Sequence, residues 1–401
     1  MLTFVNIALR NIPYFRDRYG NLQLQELSDF ERTIEFIDRD VVREHFDALR
    51  NPRIKYSHCD VSTTAGTSGK PLRILVPKIR YIVELATMHE IWAEAGYDLN
   101  ARAVIRNHRL DDGESYRINP ITREIIFDGF RLTDDYFELI YETIRKHGVG
   151  FIHCYPSVAY EFGRYIQRRA LDPSFIRAFL SGSENVFEYQ VDLIERQLGI
   201  RFFNWYGHSE KIVLGGYCSN TRLYHMEPTY GYFELVDAQG NVVRNVGGWG
   251  EIVGTALHNT AMPLLRYRTG DWAENAGNVC PGCGRSVPLI RNIHGRWSGE
   301  RIFKADGTFV TATALNLHSD LYSVINGLQY VQERRGELRV LVVKGPGYNR
   351  GHEEQLYAHY RSCLGPGNSV SVEYVERMRK SGAGKFVLVF SAVDPLVRAS
   401  C

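Results

Sequence analysis

The run Ser62-Thr63-Thr64-Ala65-Gly66-Thr67-Ser68-Gly69-Lys70-Pro71 decides the reading of this chain. Its small residues let the backbone approach a ligand closely, and its hydroxyls and exposed N–H groups can donate to phosphate oxygens. Lys70 adds a mobile cation. A Walker A loop would read Gly-x-x-x-x-Gly-Lys followed by Ser or Thr. Here only two residues separate Gly66 from Gly69, and a proline follows the lysine. Pro71 has no N–H and disfavours helix at Lys70, so no helix N-terminus starts here. Taken alone, the run fits a phosphate-binding loop and a Gly/Ser/Thr surface linker equally well.

Three further segments follow in order: Asn204-Trp205-Tyr206-Gly207-His208-Ser209-Glu210, then Pro263-Leu264-Leu265-Arg266-Tyr267-Arg268-Thr269-Gly270-Asp271, then His294-Gly295-Arg296, with Gly384-Lys385 near the C-terminus. The ordered set resembles the adenylate-forming superfamily of acyl-CoA synthetases, luciferases and peptide-synthetase adenylation domains. The resemblance is closest to its phenylacetate–CoA ligase-like branch, which includes capsule-biosynthesis and deazaflavin-adenylylating relatives. It runs from about Asn11 to Lys385.

Composition sets the outer bounds. The chain has 401 residues, enough for a large core and more than one domain. Its 48 Lys and Arg nearly balance 46 Asp and Glu, which gives no footprint for nucleic acid or an anionic membrane. No apolar run approaches the ~20 residues that span a bilayer. The first ten residues lack a basic n-region and a small-residue cleavage site, so the expected location is cytoplasmic. Seven cysteines, an odd count in a long chain, argue against a secreted disulfide framework.

The pattern along the chain predicts an α/β protein: a large N-terminal domain of mixed sheets packed with helices over 1–296, then a small, mobile α+β domain over 297–401. Residues 1–60 read as helical. Helices are expected over 80–96, from Thr133 to Gly148, over 157–170 and near 188–198, with a buried strand over 149–154. This strand–helix alternation suggests a parallel or mixed sheet covered by helices. Beyond Gly295, strands are expected around Leu338–Val343, Val370–Tyr374 and Phe386–Phe390, with a helix presenting Leu356, Tyr360, Cys363 and Leu364 on one face.

The resemblance implies attack of a carboxylate oxygen on the α-phosphorus of ATP, giving an acyl-adenylate and pyrophosphate. It implies that Thr63, Thr64, Gly66, Thr67, Ser68, Gly69 and Lys70 hold the β- and γ-phosphates. Glu210 would bind Mg²⁺, for which one carboxylate plus phosphate oxygens is chemically adequate. Ser209 would contact phosphate, and Tyr206 beside Gly207 would stack on the adenine. Ser183 and Glu184 would line the adenine pocket, and Asp271 would accept from both ribose hydroxyls. Arg296 would contact ribose or α-phosphate, and Lys385 would swing in for adenylation on its Gly-rich loop.

Cys280-Pro281-Gly282-Cys283-Gly284 is a CxxC knuckle, and a CxxC in a cytosolic protein is either redox-active or metal-binding. Members of the branch carry an upstream pair like Cys218 and His225. With Cys280 and Cys283 that pair would close a Cys₃His tetrahedron for structural Zn²⁺. His153, Tyr155, Pro156, Trp205, Gly215 and Gly216 are the candidates for the acyl pocket, and their aromatics and glycines suit a flat aromatic or heteroaromatic acid. Arg106, His108 and Arg109 read either as a solvated face or as contacts for an anionic substrate or CoA phosphate.

The expected function is ATP-dependent activation of a carboxylic acid, followed by acyl transfer to CoA or an amine. The alternative is transfer of AMP to a hydroxyl of a cofactor or metabolite. The expected cofactors are ATP, Mg²⁺ and structural Zn²⁺, with CoA as one acceptor. The partners are then small molecules, with no nucleic acid and no membrane, and homodimerisation is left open.

Overall fold

A computed structural model describes residues 1–64, 72–295, 300–315, 317, 319–379 and 387–394. The chain divides into two compact units, each discontinuous in sequence. Unit one comprises Met1–Thr63, Leu72–Glu94 and Trp205–Arg296; unit two comprises Thr64–Pro71, Ala95–Asn204 and Trp297–Cys401. The residues after 296 thus join those of 95–204 in one unit. Among the described residues no helix is long and apolar enough to cross a membrane.

Unit one begins with the helices Leu2–Asn11, Pro13–Tyr19, Leu27–Thr33 and Arg39–Glu44. Their limits have local causes. Pro13 opens the second helix, where its missing N–H costs nothing, and Gly20 closes it at φ +58°. The Asp38 carboxylate caps the fourth by accepting from the Val41 N–H at 2.9 Å. The buried faces of these helices (Val5, Leu9, Phe15, Phe30 and Val42) pack in one core with Ile252 and Ile290 of the sheet and with Leu264. That sheet is antiparallel, in the order Gly231–Val236, Trp249–Ala256, Tyr267–Val279, Ser286–His294, Tyr224–Met226 and Leu214–Tyr217. Residues 205–207 of the strand Arg201–Gly207 then pair with 214–216. The helix Arg80–Ala93 completes the unit.

One buried ion pair ties the edge strand Gly231–Val236 to the residue that precedes Tyr267–Val279. Arg266, at φ +46°, lays its guanidinium on Glu234 with N–O distances of 2.8 and 3.2 Å. Both side chains are almost fully enclosed, so removing either partner would cost about 3–5 kcal/mol through the charge left behind.

Unit two carries the parallel strands. Ala178–Gly182, Phe151–Cys154, Arg102–Ile105 and Glu124–Phe127 run parallel, and Arg117–Asn119 closes the edge antiparallel. The Asp134–Lys146 helix starts after Thr133 and buries Phe137, Ile140, Tyr141 and Ile144 at helical spacing; Gly148 follows at φ +63°. The Pro156–Arg168 helix buries Val158, Phe162, Tyr165 and Ile166. Each such side chain contributes about 1.5–3 kcal/mol when fully buried. The helix expected near 188–198 is only in part α-helical: Glu188–Val191 is α, and Asp192–Gln197 is a π-turn. Apolar spacing cannot show a change of hydrogen-bond register of this kind.

The later part of unit two has a hairpin, Arg301–Phe303 with Phe309–Thr311, and a four-stranded sheet in the order Ser369–Tyr374, Glu337–Lys344, Ile325–Gln332, Val389–Ser391. The helix Arg350–Leu364 buries the expected Leu356, Tyr360, Cys363 and Leu364. The last strand is shorter than the run 386–390 suggested, because pairing to Tyr330–Gln332 begins only at Val389; Phe386 itself lies outside the described residues. The mixed α/β class expected from the sequence is the observed one.

Candidate active site

Two of the ordered sequence runs meet in unit one, and they are cross-braced. Tyr206 of the first run donates its hydroxyl to Asp271 Oδ2 of the second at 2.9 Å. Tyr267 of the second run donates its hydroxyl to Glu210 Oε1 of the first at 3.2 Å. Each run thus supplies one carboxylate and the phenol that orients the other's. Glu210 is only 2% exposed and Asp271 only 8%, so neither acid is an ordinary surface carboxylate.

The backbone around Asp271 explains the sequence there. Arg268 Nε binds Glu251 at 2.7 Å, and the other Glu251 oxygen accepts the Gly270 N–H at 2.8 Å. Gly270 sits at φ +78°, a conformation open to glycine at little cost. The Thr269 hydroxyl donates to Ile252 O at 2.7 Å and accepts from the Asp271 N–H at 3.0 Å. Register between the two strands slips between Glu251 and Val253, and a bulge of this kind re-aims a side chain. Arg-Thr-Gly-Asp is therefore one device that presents the acid.

Around Glu210 the backbone turns sharply. The Lys211 N–H donates to His208 O at 3.1 Å, leaving Ser209 and Glu210 at the centre of the turn. The Ser62 hydroxyl donates to Ser209 O at 2.9 Å, which ties the strand Cys59–Thr64 to this turn. Thr63 is buried beside it. A side chain at Gly207 would lie 2.7 Å from Leu214 Cδ1 and 3.1 Å from the Trp205 ring, so glycine there preserves the seat of Trp205. Gly215 and Gly216 are strand residues, and a Cβ at Gly215 would meet Met226 Sδ at 2.6 Å. The packing of neighbouring strands already accounts for that glycine.

Cys218, His225, Cys280 and Cys283 converge, with their ligand atoms all within 4.8 Å of one another. Cys280 Sγ lies 3.6 Å from Cys218 Sγ, and Cys283 Sγ lies 3.8 Å from His225 Nε2. Ligands around tetrahedral zinc, at ~2.3 Å for sulfur and ~2.0 Å for nitrogen, would stand about 3.5–3.8 Å apart. The donor set and its spacing fit a closed zinc site. Cys218 and His225 come from one hairpin, and the CxxC comes from the turn between Tyr267–Val279 and Ser286–His294. Asn220 Nδ2 latches the two loops by donating to Gly282 O at 2.9 Å. Burial pushes the Cys218 thiol up, but the Asn220 N–H, the Thr221 hydroxyl and the neighbouring thiols bring it down to about 7. Burial, with Arg285 nearby, lowers His225 and favours the neutral imidazole that a metal requires.

Unit two holds a second set. Arg106 donates from Nη1 to His153 Nε2 at 2.8 Å and from Nη2 to Ser183 Oγ at 2.9 Å, and its guanidinium lies 4.4 Å from the Tyr155 ring centre. Ser183 holds φ +70°, a strained conformation for a residue with a side chain. Burial and the adjacent Arg106 push His153 well below its usual value. Its Nε2 must then accept from Arg106, which leaves the proton on Nδ1. Pro156 opens the Pro156–Arg168 helix, and Glu184 Oε2 accepts the Ser157 N–H at 3.1 Å at that helix's positive end. Burial raises the Glu184 carboxyl, and the bonds from Ser157 and Thr311 offset this only in part. Of the basic run flagged in the sequence, Arg106 turns inward to this cluster, while His108 and Arg109 are exposed and Arg109 pairs with Asp128 at 3.7 Å.

Gly66, Thr67, Ser68, Gly69, Lys70, Arg296 and Lys385 lie outside the described residues, as does the side chain of Thr64. Tyr267, Ser62 and Arg106 enter the two clusters although sequence reasoning gave them no firm role. Tyr267 could have been flagged, since it sits inside the quoted run at 263–271.

No family model matches the chain. The phenylacetate-coenzyme A ligase of Pseudomonas putida is 30% identical to it over 178 residues, 42% of this chain and 39% of that enzyme. The phenylacetate-coenzyme A ligase of Thermus thermophilus is 28% identical over 194 residues, 47% of this chain and 43% of that enzyme. The chain thus spans less than half the length of these curated relatives. Among solved structures, 2-hydroxyisobutyryl-CoA ligase in complex with 2-HIB-AMP and CoA matches with a TM-score of 0.63 at 18% identity, over 100% of this chain and 88% of that one. The chain has the adenylate-forming fold. The resemblance drawn from the ordered runs therefore holds, and its similarity in sequence is to phenylacetate–CoA ligases. Within the adenylate-forming fold, the crossed tyrosine–carboxylate bonds join the two runs that carried that resemblance.

Proposed function

We propose that this protein is an adenylate-forming ligase that activates a carboxylic acid as its acyl-AMP and then transfers the acyl group to CoA or an amine. The observation that carries the reading is the crossed brace, which holds two buried acids, Glu210 and Asp271, in fixed orientations. Two carboxylates so held serve distinct tasks. Asp271, oriented by Tyr206, accepts from the ribose diol. Glu210, oriented by Tyr267, holds Mg²⁺, which when bound neutralises phosphate charge.

In the first step a substrate carboxylate oxygen bonds to the α-phosphorus. The bond from that phosphorus to the bridging oxygen breaks, and pyrophosphate leaves. The loop at 62–70, Arg296 and Lys385 supply donors and positive charge to the phosphates, as the resemblance implies. In the second step a thiol or amine attacks the acyl carbon, AMP departs, and the nucleophile's proton passes to solvent. Rotation of the residues after 296 between the two steps follows from the same resemblance.

The Cys₃His cluster holds zinc as a structural ion, pinning the segment that follows Glu210 to the one that follows Asp271. The acid is aromatic or heteroaromatic, seated near His153 and Tyr155. Mass spectrometry of the products with ATP, candidate acids and either CoA or an amine tests the reading. An acyl thioester or amide with release of AMP is expected. AMP retained on a hydroxyl of the product would replace the ligase with an adenylyltransferase.

A further inference from the structure

The residue that follows Glu210 occupies an unusual backbone position. Lys211 holds φ +57°, in the left-handed region that a side chain disfavours. Such strain persists only where the surroundings fix the residue. Here they do. Lys211 Nζ binds Glu84 Oε1 at 2.7 Å, with both side chains mostly enclosed. The other Glu84 oxygen accepts the Tyr230 hydroxyl. Tyr230 is buried, and the Arg80 guanidinium lies 4.0 Å from its ring centre. Arg80 and Glu84 lie one turn apart on the helix Arg80–Ala93, so both brace from one rigid element. The next residue is pinned as well: Ile212 O lies so close to Gly231 that a Cβ there would approach it to 1.7 Å.

The turn carrying Glu210 is thus held at both ends. Ser62 holds the carbonyl of Ser209 before it, and the Glu84–Lys211 pair holds the side chain after it. We infer that Lys211 and Glu84 are positioning residues: their ion pair stabilises the left-handed turn that aims Glu210 at a nucleotide-bound divalent cation. This rests on the reading of Glu210 given above. The pair does not touch the metal or the substrate. It acts by holding the ligand's backbone, as outer partners of metal ligands do.

The test titrates Mg²⁺ against binding of a fluorescent ATP analogue, without turnover, in wild type and in Lys211→Ala, Lys211→Gly, Lys211→Arg and Glu84→Gln. The expected result is an Mg²⁺ midpoint raised about tenfold in Lys211→Ala and Glu84→Gln, the scale seen for outer partners of metal ligands. Lys211→Gly should recover part of that loss, because glycine adopts the left-handed turn without the ion pair. Lys211→Arg should restore most of the wild-type midpoint. Affinity for the metal-free nucleotide should be the same in every variant. Unchanged Mg²⁺ midpoints in both Lys211→Ala and Glu84→Gln would overturn the inference. So would a parallel loss of metal-free affinity, which would mark the pair as general support for the fold. Wild-type binding that ignores Mg²⁺ would instead overturn the role assigned to Glu210 itself.

Discussion

The two units solve the problem of holding a functional side chain in different ways. In unit one Asp271 sits on an antiparallel sheet and Glu210 on a turn just beyond one of its strands, and each is fixed by a named partner from the other run: Tyr206 on Asp271, Tyr267 on Glu210. In unit two the candidate residues cluster round one cation, Arg106, which reaches His153 and Ser183 from the end of a parallel strand. The first arrangement suits a ligand whose chemistry never changes, because phosphates and a ribose always present the same groups. On the proposed function the second, apart from the Ser183 that the resemblance gives to the adenine pocket, would meet a variable group, where shape and one half-buried charge can be retuned. On the proposed function, this difference accounts for candidate nucleotide residues that read as motifs and a candidate acyl pocket that does not.

The largest expected effect comes from removing charge that the proposed mechanism brings to the phosphates. Lys385→Ala should slow acyl-adenylate formation by about 10²–10³ while leaving ATP binding largely intact, measured by pyrophosphate release and nucleotide titration. An unaffected rate would remove Lys385 from the chemistry. Glu210→Gln should fall in the same range with weakened Mg²⁺ dependence, since the amide cannot ligate the cation as a carboxylate does.

The brace itself predicts a smaller effect. Tyr267→Phe and Tyr206→Phe each delete one hydroxyl and should lower the rate of adenylation about tenfold. They should differ in kind: Tyr267→Phe should shift the Mg²⁺ midpoint, whereas Tyr206→Phe should raise KM for ATP. Identical changes in both would show that the two bonds merely stabilise the sheet.

Zinc sharpens the comparison from the structural side. Elemental analysis should find about one zinc per chain, and Cys280→Ser should lower the melting temperature by several degrees with loss of the metal. A metal-free protein with the wild-type melting temperature would remove the ion.

The smallest effect belongs to unit two. His153 is held neutral because burial and Arg106 depress its pKa in the fold. The unfolded chain therefore binds the proton more readily, so this group's contribution is complete above about pH 6.5 and is lost as pH falls below that value. Melting temperature should decline from pH 7 to pH 5, and His153→Gln should flatten that decline.

Much of this molecule could be read from its residues. The buried face of Asp134–Lys146, the helix Arg80–Ala93 and the Leu356–Leu364 face followed from helical spacing. The CxxC was legible as a knuckle and the resemblance supplied Cys218 and His225 as its partners; the four side chains converge. The crossed bonds were not. They join residues 57 and 65 positions apart, and no local pattern states which phenol meets which carboxylate. The π-turn at Asp192–Gln197 escaped because apolar spacing does not report hydrogen-bond register. The interleaving of the two units escaped because a change of composition at 296 marks where local character changes, not which segments share a core.

The most direct test of the central claim is exchange of labelled pyrophosphate into ATP with a panel of aromatic and aliphatic acids. Exchange that depends on one class of acid and is lost in Glu210→Gln is the predicted result, and it would name the substrate class. Binding of ATP without exchange for any acid, with AMP appearing on a hydroxyl acceptor, would contradict it.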